Sequence, residues 1–184
     1  VPFRDFYSAV GPPLFLWQGL LFKLFGISYY TYVTGASLVN AAIAVCALGI
    51  GRRLTDDRQL VLAAGILTAL CNSPIHHGAP WYETMGWLFL WLSLWLLSQG
   101  WSKGKQDAGA AASVWWIYAL AGIAAALAFY SKQTVGAVGA YFFSLYLWST
   151  RISRTQPLCY AGGFVLGLLG FFALWSWPGY WAEV

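Results

Sequence analysis

Apolar residues run along this chain in six stretches, roughly 28–50, 60–75, 84–100, 113–130, 134–149 and 157–176, with polar residues collected in the connectors. An α-helix rises 1.5 Å per residue, so about 20 residues cross the roughly 30 Å of hydrocarbon in a bilayer. Each stretch is long enough, or nearly so, although the second and fifth are short. The pattern predicts an all-α fold, a polytopic bundle of about six membrane helices. Residues 1–184 form one membrane domain, with the bundle over 28–176 and an outer tail over 177–184. Small residues such as Gly162, Gly163, Gly167 and Gly170 let helix backbones approach closely in lipid, which favours a compact bundle.

Residues 1–27 read as an N-terminal outer loop followed by an interfacial helix. Pro12 and Pro13 suit the opening of a helix, where a missing N–H costs nothing. Leu14 to Phe25 then reads as a helix interrupted by Gln18, Gly19 and Lys23, and Gly26 ends it. Twelve residues reach about 18 Å, too short to cross, so this helix is expected to lie in the interface with its apolar side down. The chain opens at Val1 with a polar, Pro-containing segment and no basic n-region. That reads as a chain without a signal peptide, cut from a longer protein. The sequence shows no internal repeat, low-complexity tract or second domain.

Composition agrees with lipid as the solvent. Of 184 residues, 60% are hydrophobic, 19% aromatic and only 9% charged, against about 25% charged in an average soluble domain. So few charges leave a soluble surface with apolar patches beyond a few hundred Å². The net charge of +4 does not point to nucleic acid, because the basic residues form no run and no basic-aromatic alternation. Cys46, Cys71 and Cys159 have no CxxC or metal-ligand spacing and say little about redox compartment.

Lys and Arg favour the cytoplasmic side of a membrane protein. Alternate connectors differ clearly: one set carries Arg52, Arg53, Arg58, Lys103, Lys105, Arg151 and Arg154, and the other only Arg4, Lys23 and Lys132. Both termini are therefore expected outside, with residues 1–27, 76–83 and 131–133 on the outer face. Trp175, Trp177, Tyr180 and Trp181 fit an outer aromatic belt and Trp101 an inner one.

The outer connectors also hold the candidate chemistry. His76, His77, Arg4, Asp5, Tyr82, Glu83 and Lys132 come from three separate loops that a bundle would gather at one mouth. Two carboxylates, two imidazoles and two cations form an inventory for acid–base chemistry and phosphate binding. Asp5, between Arg4 and aromatic residues, could accept a proton from an attacking hydroxyl; an Arg4–Asp5 pair that anchors the loop in headgroups is the plainer alternative. Lys132 sits in a very short connector near the surface, suited to a lipid phosphate or simply to snorkelling. His76 and His77 suit hydrogen bonds to phosphate or sugar hydroxyls. Adjacent histidines diverge and HEXXH is absent, so no metal site is expected, and a divalent-metal requirement stays open. Glu83 equally suits the positive N-terminus of the following helix. No Walker, GxSxG or Rossmann pattern is present.

The run Pro2-Phe3-Arg4-Asp5-Phe6, followed by Gly11-Pro12-Pro13-Leu14, Leu24-Phe25-Gly26, Gly51-Arg52-Arg53-Leu54 and Ser131-Lys132-Gln133-Thr134, resembles GT-C type membrane glycosyltransferases. The closest resemblance is to the N-terminal part of the protein mannosyltransferase-like, polyprenyl-phosphate-sugar-dependent family, without its first membrane helix. The resemblance implies a prokaryotic plasma-membrane enzyme whose active site faces outside. Such an enzyme transfers a sugar from a polyprenyl-phosphate donor, with inversion, to a hydroxyl of a protein, lipid or glycan acceptor. It also implies Asp5 as general base and Lys132, with Arg4, as the cations holding the departing phosphate. Phe6 stands where many relatives carry a second acid. The competing expectations are a non-enzymatic transporter or assembly subunit, and a lipid-linked glycan ligase or polymerase. A transporter would place polar groups near the bilayer midplane, and the apolar stretches hold only scattered Ser37, Asn40 and Ser144.

Overall fold

In the computed structural model the described residues are 12–71, 82–106, 114–132, 135–139, 143 and 155–175. All of their regular structure is helical: α1 (Pro12–Phe25), α2 (Tyr29–Leu54), α3 (Arg58–Cys71), α4 (Tyr82–Gln106), α5 (Trp115–Ser131) and α6 (Thr155–Trp175). A helical stretch over 135–139 follows α5. Two helices, Tyr29–Leu54 and Thr155–Ala173, are long and apolar enough to cross a membrane; α1, α3 and α5 are shorter apolar helices. Of the fifth expected segment, 134–149, only 135–139 and 143 are described.

Local chemistry sets the helix ends. α1 starts on its proline pair and stops at Gly26, whose φ of 82° is open to glycine at no steric cost. Ser28 caps α2 by accepting from the Thr31 N–H at 3.0 Å. α2 then runs through Arg52 and Arg53 to Leu54, and Asp57 caps α3 by accepting from the N–H groups of Gln59 and Leu60 at 2.9 and 3.2 Å.

Pairwise contacts give the topology. α2 and α3 run antiparallel, since Asn40 Nδ2 donates to the Ala69 carbonyl at 2.9 Å while Gly65 faces Leu48 and Gly51 faces Val61. α4 lies parallel to α2: Met85 clusters with Val39 and Ile43, Gly49 meets Trp95, and Arg53 reaches the Ser98 carbonyl at 3.3 Å and the Gln99 side chain. α5 returns antiparallel to α4. Leu90 packs with Ala128, Ser93 donates to the Ala121 carbonyl at 2.9 Å, and Gly100 faces Tyr118. α6 runs parallel to α5, with Gly163 on Ala119, Gly122 on Tyr160 and Phe164, Gly167 on Ala126, and the Tyr130 hydroxyl donating to the Leu168 carbonyl at 2.8 Å.

Among the described residues, α5 and α6 approach each other most closely at their glycines. A Cβ on Gly122 or Gly163 would fall inside the backbone of the opposite helix, so these positions set the separation of the two helices. Gly163 and Gly167 stand four apart on that face, while Gly162 and Gly170 have open space beside them. The deepest cluster joins α4, α5 and α6 through Leu97, Ile117, Tyr118, Ala121, Phe143 and Tyr160, with the Phe143 and Tyr160 rings stacked at 3.6 Å. Large apolar side chains are also exposed among the described residues. Leu62, Ile66 and Leu70 of α3 and Leu158, Leu166 and Leu169 of α6 are each more than half exposed.

Candidate functional site

The alternating helix directions sort the connectors onto two ends. One end carries the last turn of α2 with Arg52 and Arg53, the first residue of α3, Arg58, and the last turns of α4 with Lys103 and Lys105. The opposite end carries the elbow between α1 and α2, the end of α3, the start of α4, Lys132 at the end of α5, and the end of α6. Of the basic residues described, Arg52, Arg53, Arg58, Lys103 and Lys105 therefore share one end, and Lys23 and Lys132 lie at the other.

At that second end, α5 stops because Lys132 is extended (φ −156°, ψ 118°) while its N–H still bonds the Ala128 carbonyl at 2.9 Å. The Lys132 carbonyl accepts from the Gly136 N–H at 3.1 Å, which restarts the helix. A Cβ at Gly136 would press on the Phe129 backbone, so the turn doubles back tightly. Val135 then touches Gly86 of α4, which brings the Lys132 turn beside the first turn of α4. Tyr82 and Glu83 occupy that first turn, so Tyr82 is helical and not part of the preceding loop. The first N–H groups of a helix have no partner within the helix and favour an anion, and Lys132 is a cation at the same end.

α1 completes this end. It folds back from Gly26, donates from Trp17 Nε1 to the Gly35 carbonyl at 3.2 Å, and places Leu21 and Gln18 against Gly35. It also touches α4 and α5. Gln18, which the sequence marks only as an interruption of an apolar run, is 7% exposed, and neither its Oε1 nor its Nε2 has a hydrogen-bond partner among the described residues. A buried amide left unpaired costs about 1–3 kcal/mol. Asn40 repeats the pattern more mildly: its Nδ2 is bonded and its Oδ1 is not. The only signal for Gln18 in the sequence is one amide within an apolar helix that is too short to span.

Of the residues expected to form the outer site, Arg4, Asp5, His76 and His77 lie outside the described residues; the backbone of Tyr82 and Glu83, at the start of α4, and Lys132, at the end of α5, fall within them and lie at the same end of the bundle. Among the described residues no group of three or more His, Cys, Asp or Glu side chains is placed to hold a metal ion. Comparison with protein-family models, with curated proteins and with solved structures finds no match to this chain.

Proposed function

We propose that the chain is a multi-pass membrane protein and the N-terminal part of a GT-C-like glycosyltransferase. The observation that carries this reading is the sorting of the two ends among the described residues: Arg52, Arg53, Arg58, Lys103 and Lys105 at one, and at the other Lys23 and the Lys132 turn, which lies near the start of α4. In a bilayer the basic end faces the cytoplasm and the Lys132 end faces outside. The apolar exterior of α3 and α6 supports lipid as the surrounding solvent, since soluble monomers rarely expose contiguous apolar surface on this scale. In that setting α1 sits at the outer interface, and prokaryotic plasma membrane is the expected location.

The reaction is transfer of a sugar from a polyprenyl-phosphate donor to an acceptor hydroxyl. Asp5 takes the hydroxyl proton as the acceptor oxygen bonds to the anomeric carbon, and the bond to the phosphate oxygen breaks with inversion. The departing phosphate takes the electron pair, and Lys132 with the α4 N-terminus balances its charge. Arg4, His76, His77, Tyr82 and Glu83 contribute further polar contacts to donor and acceptor. A phosphate is already a good leaving group, so charge stabilisation and orientation supply most of the rate. Gln18, buried and unpaired beside this end, adds an amide suited to sugar hydroxyls.

The test is the full-length gene expressed in membranes supplied with polyprenyl-phosphate sugars. Asp5→Asn is expected to lower transfer by at least 10²-fold, and Lys132→Ala to lower it by about 10-fold or more. Wild-type transfer by Asp5→Asn would remove Asp5 as the base. Absence of any sugar transfer by the wild type, with substrate flux across vesicles instead, would favour a transporter.

A further inference from the structure

The basic end holds a pocket with a different character. An open cavity of about 490 Å³ lies at the α2–α3 turn, lined by Arg52, Thr55, Asp56, Arg58, Val61 and Leu62. Its charges come from both sides of a fixed corner. Thr55 is held by its N–H on the Gly51 carbonyl at 3.1 Å, and Asp57 is committed to capping α3. The Asn40–Ala69 bond and the Gly51–Val61 contact lock the two helices together above the turn. Arg52 and Arg58 are exposed, and neither makes a hydrogen bond or ion pair to another described residue, whereas the adjacent Arg53 is engaged with α4.

We propose that this pocket binds the phosphodiester of an anionic membrane lipid. Two guanidiniums and the Asp56 carboxylate leave a net charge of +1, which matches a phosphodiester carrying one negative charge. Guanidinium forks fit phosphate oxygens two at a time, and Thr55 adds a hydroxyl. The lining is apolar at Val61 and Leu62, and Leu54, Leu60 and Leu62 at this end of the bundle are exposed, which suits a lipid's glycerol and acyl chains better than a free, fully hydrated phosphate. The site is at the opposite end from the Lys132 turn. It rests on the membrane reading and is independent of sugar transfer.

Native mass spectrometry of the full-length protein, stripped of lipid in detergent and titrated with defined lipids, tests this. The wild type is expected to bind one phosphatidylglycerol at least tenfold more tightly than phosphatidylcholine, with inorganic phosphate at the same concentration failing to displace it. Arg52→Gln/Arg58→Gln should lose that preference while keeping its thermal midpoint, and Lys103→Gln/Lys105→Gln should change lipid affinity less than twofold. Unchanged lipid preference in the Arg52/Arg58 double variant, or equal loss in the Lys103/Lys105 variant, would overturn the pocket as the site. Displacement by inorganic phosphate would mark a free-anion site and overturn the lipid. If the double variant unfolds, Thr55→Val and Asp56→Asn take its place: the first should weaken phosphatidylglycerol binding, the second strengthen it, and no change in either refutes the proposal. Recovery of the full-length protein in the soluble fraction without detergent would overturn the membrane reading itself, and this pocket with it.

Discussion

Two buried polar side chains, Gln18 and Ser93, show how differently one residue class can sit in this fold. Ser93, 2% exposed, donates to the Ala121 carbonyl, so a single hydroxyl ties α4 to α5. Hydrogen bonds between helices in lipid average about 0.6 kcal/mol. Ser93→Ala removes this bond and leaves the site otherwise filled, so a loss of about 0.5–1 kcal/mol is expected, read as a lower midpoint in detergent denaturation. Gln18 has the opposite balance, because both ends of its amide are buried without partners among the described residues. Gln18→Met keeps the volume and removes the unpaired groups, so the fold is expected to hold its stability or gain about 1 kcal/mol. Sugar transfer by the same variant is expected to fall several-fold. A clear loss of stability would mean that the amide serves the fold instead of a ligand. Neither outcome is legible in the sequence, where Gln18 and Ser93 are each simply one polar residue in an apolar run.

Among the helices, α5 and α6 rest on glycine contacts that hydropathy cannot distinguish. The apolar stretches 28–50, 84–100, 113–130 and 157–176 anticipate α2, α4, α5 and α6, because transfer free energy marks which residues leave water. They miss the ends: α2 and α4 extend through Arg53 and Gln106, since a polar residue does not stop a helix. The actual stop between α2 and α3 is a cap, Asp57, set by a local hydrogen bond and not by polarity. Nor does the run of glycines in α6 say which of them faces a partner. Contacts do: Gly163 abuts the Ala119 backbone, whereas Gly162 faces open space. Gly163→Ala is therefore expected to cost about 1–3 kcal/mol through overpacking. Gly162→Ala, at an unobstructed helical position, should be neutral or stabilising by up to about 1 kcal/mol. Chemical or thermal denaturation of the two variants in one detergent makes the comparison; equal effects would show that α5 and α6 do not touch through this face.

For the whole molecule the decisive quantity is the direction of each helix relative to the bilayer. The sequence supplies the asymmetry of Lys and Arg between alternate connectors, and the packing supplies the directions: α5 and α6 run parallel to each other and opposite to α2, in the order that charge requires. The candidate site is legible only in part, since loop residues have no periodicity from which convergence can be read; the turn after Lys132 brings Val135 to Gly86 of α4 because Gly136 allows a tight return, not because of any spacing in the chain. The sorting makes a definite demand on accessibility. In a background with Cys46, Cys71 and Cys159 replaced by Ala, Lys132→Cys is expected to react with a membrane-impermeant maleimide added to intact cells. Asp56→Cys, in the turn at the opposite end, should react only after the membrane is opened. Labelling of both from outside would end the two-faced topology, because no lipid-spanning arrangement of α2 and α5 leaves the α2–α3 turn and the end of α5 on one side. Labelling of Asp56→Cys alone in intact cells would preserve the bundle but invert it, placing the Lys132 corner in the cytoplasm and removing the proposed outer-face chemistry.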